Sequence, residues 1–114
     1  MSTQVVVARL EGLTGRADEL RTLLTDRAQA VRAEPGCTGY EVAGVVDEPA
    51  AFLIVQTWTS GQALRAHFAS EAHASYQHEV DELLANPSQV VLHEVASTTH
   101  PSASTSPTDP GRFG

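Results

Sequence analysis

The sequence predicts an α+β fold of the ferredoxin-like type, with four antiparallel strands and the helical segments in the order β-α-β-β-α-β. Three observations carry this prediction. Four short segments are rich in β-branched and apolar residues, the segments after the first and third of them have helical periodicity, and the middle two strands are joined by a short turn. In this fold the helices cover one face of a four-stranded sheet.

The first strand and the first helix are predicted at residues 4–9 and 16–33. The strand contains three consecutive valines, which favour β structure. In the helix, apolar side chains recur every three or four positions. Pro35 and Gly36 are expected to end it.

The second and third strands are predicted at residues 37–46 and 51–58, with a turn at residues 47–49. Alternation in the third strand places four side chains on one face, and these are Phe52, Ile54, Gln56 and Trp58. Its other face is also largely apolar. We therefore expect both faces of this strand to be buried.

Two helices are predicted after the third strand, with Ser60 and Ser70 as their N-caps. The second of them is expected to run to the Asn86-Pro87 pair. Its inward stripe follows the helical period and consists of His73, Tyr76, Gln77, Val80, Leu83 and Leu84. A final strand is predicted at residues 89–95.

The chain of 114 residues has the length of one domain, which we place at residues 1–95. Residues 96–114 contain eight Ser or Thr and three Pro among nineteen positions, so we expect a disordered tail. No long apolar run predicts a membrane span, and no targeting segment is evident at the start. A cytoplasmic location is the expectation.

Charge and composition exclude several function classes. The formal net charge of −7 argues against nucleic acid as a partner, because its binders carry basic patches. All seven basic residues are arginine, so Schiff-base chemistry on a lysine is excluded. Cys37 is the single cysteine, which excludes a disulfide within the chain and a thiolate metal cluster.

The uncovered face of the predicted sheet is apolar and needs a partner. A second copy of the chain, packed sheet against sheet around a two-fold axis, is the simplest one. We therefore expect a homodimer.

Four segments carry a resemblance to a known family: EPGCTGYEV at 34–42, DEP at 47–49, QTWTSGQAL at 56–64 and HFASEAH at 67–73. With them, residues 4–95 resemble the antibiotic biosynthesis monooxygenase family of dimeric α+β barrels. The resemblance implies a pocket between sheet and helices in each subunit. It also implies a dimer closed by the other sheet face.

The same resemblance implies a cofactor-independent monooxygenase that uses dioxygen to oxidise a small aromatic molecule, a phenol or hydroquinone, to a quinone. No metal, flavin or haem is then needed, because a deprotonated electron-rich phenol itself reduces dioxygen. One alternative is a non-catalytic dimeric module that binds a small molecule. Another is an isomerase of small sugar phosphates, against which the acidic balance and the single arginine of the motif region, Arg65, both argue.

Such an oxidation requires a base, an aromatic slot and a donor for an oxyanion. The candidate catalytic residues are His67, His73 and Tyr76, and the candidate substrate-binding residues are Trp58, Tyr40, Phe68 and Gln56. For each of them, packing in the core is the alternative interpretation. The sequence does not distinguish the two histidines.

Departures from the family pattern reduce the number of reactions that the resemblance implies. The position of Gln56 is often a glutamate in the family. The resemblance implies a set of asparagine, tryptophan and histidine for the haem-degrading branch of the family. That set is absent here, because strand one has no asparagine and the other two positions hold His67 and Gln77. Histidine spacings of six and five residues do not suit a metal on one helix face, so no metal site is predicted.

Overall fold

The computed structural model describes residues 2–101. Four strands and three helices follow one another along the chain: β1 (Gln4–Glu11), α1 (Ala17–Arg32), β2 (Cys37–Val45), β3 (Glu48–Trp58), α2 (Gly61–Ala69), α3 (Glu71–Asp81) and β4 (Gln89–Glu94). The predicted order of elements is confirmed, with two short helices between β3 and β4.

The four strands form one antiparallel sheet in the order β2-β3-β1-β4. Val6 of β1 pairs with Gln56 of β3 and with Leu92 of β4, so these side chains share one face. The helices pack on that face. The ferredoxin-like prediction is therefore confirmed.

The core lies between this inner face and the helices. From the sheet it takes alternate residues of β1 and β3, and from α1 the stripe predicted by the helical period. The largest fully buried side chains are Trp58, Leu10, Leu20, Leu24, Ile54, Val6, Val31 and Val80. This packing fixes the helices over the middle of the sheet.

Both predicted N-caps are confirmed. The Ser60 hydroxyl oxygen accepts a hydrogen bond from the backbone N–H of Ala63, and that of Ser70 accepts one from the N–H of His73, each at 3.1 Å. Because Ser70 ends α2 with an extended backbone and at once caps α3, the two helices meet at an angle. This junction places His67 and His73 on the same side.

The prediction that the last helix runs to Asn86 was wrong. α3 ends at Asp81, since the backbone then leaves the helix to pair with the end of β1. The Ala85 N–H donates to the carbonyl of Glu11 at 2.8 Å, and the Leu13 N–H donates to that of Leu83 at the same distance. These tertiary bonds replace the remaining helical ones.

Two predictions about β3 also need correction. The strand begins at Glu48, so the turn is confined to Val46 and Asp47. Its outer face is not buried within one chain: Val55 is 40% exposed, because no element of residues 2–101 covers that side of the sheet.

The end of the described region has no regular structure. Residues 95–101 follow β4 without helix or strand, and residues 102–114 of the predicted tail lie outside the described residues. No helix within residues 2–101 is long and apolar enough to cross a membrane.

Candidate active site

A small cavity of about 60 Å³ lies between the inner face of the sheet and the three helices. Apolar strand residues form its floor, and aromatic, imidazole and polar side chains from the helices form its walls. It is lined by Val6, Ala8, Leu10, Arg27, Tyr40, Ile54, Gln56, His67, Phe68, His73, Tyr76, Gln77, Val80, Ser88 and Val90. Its mixed lining, apolar and aromatic with a few polar groups, is typical of small-molecule sites.

An unbroken cluster of rings follows one wall of this cavity. The His67 ring lies 4.7 Å from that of Trp58, 5.3 Å from that of Phe68 and 5.0 Å from that of His73, measured between centroids. The His73 ring continues the cluster to Tyr76 at 5.8 Å. Tilted packing of this kind holds each ring in one orientation.

His67 is paired with an acidic residue. Its Nδ1 lies 2.9 Å from Oε1 of Glu34, and the imidazole side chain is 2% exposed. A carboxylate accepts hydrogen bonds, so Nδ1 carries the proton and donates it. Nε2 is then the nitrogen with a lone pair, which is the form that a general base requires.

Gly36 holds the loop that presents Glu34. Its φ of +85° lies in the left-handed region, and a Cβ built on it would lie 2.5 Å from the Cβ of Ala63 in α2. The carbonyl of Gly36 accepts a hydrogen bond from the Thr59 N–H at 2.9 Å. A glycine is therefore needed for the loop to approach α2 so closely.

Trp58 and Gln56 form a buried polar pair beside this cluster. The indole Nε1–H donates to Oε1 of Gln56 at 3.0 Å. Trp58 is fully buried and does not line the cavity; it packs behind His67. The pair satisfies both polar groups and fixes the wall on which His67 rests.

Arg27 of α1 also lines the cavity, although its side chain is only 8% exposed. Its Nη2 lies 3.7 Å from Oε2 of Glu34, which is an ion-pair distance but too long for a hydrogen bond. That nitrogen has no hydrogen-bond partner within the described residues. The guanidinium carbon lies 5.4 Å from the centre of the Tyr76 ring, a cation–π contact.

His73 has a second unpartnered polar atom, since its buried Nδ1 makes no hydrogen bond within residues 2–101. Burial lowers the pKa of His73 below its usual 6.5, and the neighbouring His67 and Arg27 lower it further. The imidazole is therefore neutral near pH 7 and carries one N–H.

The two tyrosines of the cavity stay protonated at neutral pH. Burial raises the pKa of Tyr40 to about 12 and also raises the pKa of Tyr76. Each hydroxyl can therefore donate a hydrogen bond to a ligand oxygen. Neither can act as a base near neutrality.

Six of the seven residues singled out in the sequence line this cavity, and Trp58 touches it through His67. Their roles in catalysis and binding remain predictions. Sequence reasoning assigned no role to Arg27 or Glu34. Position 27 lies three residues after Leu24 and four before Val31, inside the buried stripe of α1. A charged residue at such a position could have indicated a buried functional group.

Metal ligands do not cluster in this part of the chain. Within residues 2–101 there is no group of three or more histidine, cysteine or acidic side chains that could hold a metal ion. His78 is exposed and lies 3.6 Å from Glu82. Burial raises the pKa of the Cys37 thiol, which keeps it in the less nucleophilic form.

Comparison with known proteins agrees with this architecture. A sequence model of the antibiotic biosynthesis monooxygenase family matches residues 3–79. The chain belongs to this family.

Solved structures of similar proteins share the whole domain. Rv0793 from Mycobacterium tuberculosis is 29% identical, with a TM-score of 0.77 over 89% of this chain and 100% of that one. A family member from Deinococcus radiodurans is 25% identical, with a TM-score of 0.82 over 87% of this chain and 98% of that one.

One sequence relative is longer. Protein sll1783 of Synechocystis, whose function is not characterised, is 26% identical over 94 residues, which is 82% of this chain. The match spans 64% of the length of that relative.

Proposed function

We propose that this member of the antibiotic biosynthesis monooxygenase family is a cofactor-independent monooxygenase. It oxidises a phenolic or hydroquinone substrate to a quinone with dioxygen. The reaction takes place in the cavity between the sheet and the helices.

The pair of Glu34 and His67 is the observation that carries the proposal. A buried imidazole, oriented by a carboxylate and set on the wall of a cavity with aromatic side chains, has the arrangement of a general base with its orienting group. A phenol that enters the cavity meets aromatic walls and a nitrogen able to take its proton. His73 is the second candidate base, next to it in the ring cluster.

The reaction balances without an external reductant. Nε2 of His67 takes the phenolic proton, and the phenolate gives one electron to dioxygen, which becomes superoxide. The two radicals join at a ring carbon that bears hydrogen, and the imidazolium returns its proton to the new peroxide. Loss of that C–H proton then breaks the O–O bond and expels hydroxide, which leaves as water with a proton. One phenol and one dioxygen give one quinone and one water.

The remaining groups of the cavity fit supporting roles. Tyr40 and Tyr76 keep their protons and can donate hydrogen bonds to the oxygen that carries negative charge. Phe68 supplies a flat wall, and Gln56 on the cavity lining offers its amide N–H groups because its Oε1 is occupied by Trp58. These placements support the substrate contacts expected from the sequence.

The test is oxygen uptake by metal-stripped protein against a panel of hydroquinones and phenols, each corrected for autoxidation. We expect quinone formation with one oxygen atom from ¹⁸O₂ in the product, reduced by about a hundredfold or more in H67A. The matched control is H78A, which removes an exposed histidine. Ligand-induced stabilisation without oxygen uptake across the panel would instead establish a binding module.

A homodimer is the second part of the proposal. The outer sheet face presents Val55, 40% exposed, and Val91, 52% exposed, both aligned with Val7 of β1. We expect a dimer mass by light scattering for the wild type and a monomer for V55E. V46E adds the same charge at the exposed turn and should leave the dimer intact. A monomeric wild type at micromolar concentration would refute this part.

A further inference from the structure

Arg27 places a positive charge at the cavity, and one nitrogen of its guanidinium makes no hydrogen bond within the described residues. The side chain is more than nine-tenths buried, and Nη2 has no hydrogen-bond partner within residues 2–101. A buried guanidinium normally satisfies its donors, because unsatisfied charged donors are costly. The nearest acid, Glu34, is held by His67 at 2.9 Å and stays 3.7 Å from Arg27.

We propose that Arg27 binds an anionic oxygen of the aromatic ligand, a carboxylate or an ionised hydroxyl on the ring, and that His73 supplies a second donor to it. This inference rests on the proposed function and names the substrate class: aromatic molecules with an acidic oxygen substituent.

His73 fits the second position because its buried Nδ1 also lacks a partner within the described residues, and both side chains line the same cavity. The ring of His73 contacts those of Phe68 and Tyr76, with centroid distances of 5.1 Å and 5.8 Å. The guanidinium of Arg27 also contacts the Tyr76 ring. The guanidinium and the imidazole therefore contact the same ring of the cavity lining.

The charges of the site do not suit a ligand with two negative charges. Arg27 is partly offset by Glu34, and the remaining groups of the cavity, His67, His73, Tyr40 and Tyr76, add no cation when neutral. A proton taken up by His67 adds one positive charge, next to Glu34. A phosphate dianion would need further cations, so a carboxylate or phenolate suits the site better.

The first test compares two ligands of nearly the same shape on the wild-type protein. Benzoate and benzamide are titrated separately, with binding followed by protein NMR shifts of cavity residues. We expect benzoate to bind about tenfold to a hundredfold more tightly, the range that a hydrogen bond to a charged group supplies. This arm reports on a carboxylate.

A second arm reports on an ionised hydroxyl. 4-Nitrophenol, whose anion absorbs visible light, is added near its own pKa. Binding is expected to increase the ionised fraction, which appears as a rise in absorbance. A response in either arm supports the site and identifies the source of the anion. Equal or absent binding of the benzoate pair, together with no rise in nitrophenolate, overturns the proposal.

Variants separate binding by Arg27 from its role in folding. R27K keeps the charge but loses the planar fork, and R27Q combined with E34Q removes both charges without leaving either one buried alone. In the double variant the preference for benzoate should fall to within about threefold of unity, a loss of most of the expected charge contribution. R65Q, which removes an exposed arginine on α2, is the control and should keep the preference.

The two proposals fail in different ways. Oxygen uptake with neutral hydroquinones, combined with no preference for benzoate and no rise in nitrophenolate, would support the monooxygenase and refute the anion site. A strong preference for benzoate without any oxygen uptake would support the anion site in a binding protein. The two measurements are therefore made on the same preparation.

Discussion

Nδ1 of His67 lies 2.9 Å from Oε1 of Glu34, so a residue of α2 and a residue of the loop before β2 form one buried unit. The two are 33 positions apart in the chain. Gly36 makes this contact sterically feasible, and Trp58 and Phe68 pack around the imidazole. Changes at Glu34 or Gly36 should therefore affect activity through His67.

The first prediction concerns Glu34. E34Q keeps the shape of the side chain but replaces an acceptor that favours the Nδ1–H form of His67 with an amide that also donates. We expect the turnover rate to fall at least about tenfold, because the imidazole loses its orienting partner. Steady-state oxygen uptake measures this. E79Q, at an exposed glutamate of α3, is the control, and an unchanged rate in E34Q would mean that the pair has no part in the reaction.

The second prediction concerns the pH dependence of stability. Burial lowers the pKa of His73 in the folded protein below the 6.5 of an exposed histidine, with His67 and Arg27 acting in the same direction and Glu34 against them. Between that lowered value and 6.5 the unfolded chain binds more protons, so stability falls as the pH drops through this window. Above pH 6.5 this contribution is constant.

Melting temperatures between about pH 5 and pH 8 measure the effect. H73Q should flatten the acid side of the curve, because glutamine does not titrate in this range. H78Q, at an exposed histidine, should leave the curve as it is. If H73Q and wild-type protein lose stability in parallel on acidification, His73 is not the group responsible.

The third prediction concerns Gly36. G36A should destabilise the protein by about 1–3 kcal/mol for the left-handed backbone, and further through the contact of the new Cβ with Ala63. G15A is the matched control, because Gly15 has φ +81° but nothing within 4 Å of a built Cβ. Chemical denaturation of both variants gives the difference.

The steric part of that loss can be tested by a second change. A63G removes the Cβ that the new methyl group would meet, at a cost of about 1 kcal/mol in helix propensity. Addition of A63G should therefore harm G36A less than it harms the wild type. Simple additivity of the two changes would show that the close approach of loop and helix does not limit stability.

Periodicity was sufficient for the fold but not for the whole site. The period-two pattern of β3 is confirmed by the buried side chains of its inner face. The helical stripe of α3 is confirmed by the buried Val80. The end of α3 was missed because tertiary hydrogen bonds to β1 compete there with helical ones. The local sequence does not predict these hydrogen bonds, because they join segments that are far apart in the chain.

Arg27 and Glu34 illustrate a further limit. Aromatic and imidazole residues stand out in a sequence that is 5% aromatic, so they were found by composition. A charged residue such as Arg27 can be recognised as buried only when its position is compared with the apolar positions of its helix. The residue with which it pairs depends on the tertiary fold. The contact between the loop at Glu34 and α2 depends on a glycine conformation that the dipeptide Pro35-Gly36 suggests but does not place.

The fourth prediction concerns the buried pair of Trp58 and Gln56. Q56L leaves the indole N–H without its acceptor, and W58F leaves Oε1 of Gln56 without its donor. Each single change should therefore carry a penalty of about 1–3 kcal/mol for an unpaired buried polar group, in addition to the loss of volume in W58F. The double variant Q56L/W58F removes both polar groups and therefore avoids both of these penalties. Urea denaturation of the four proteins should give a sum of single losses that exceeds the double loss by at least about 2 kcal/mol, the lower end of two such penalties. Agreement of the two values within about 0.5 kcal/mol would mean that the hydrogen bond contributes nothing to the wall on which His67 rests.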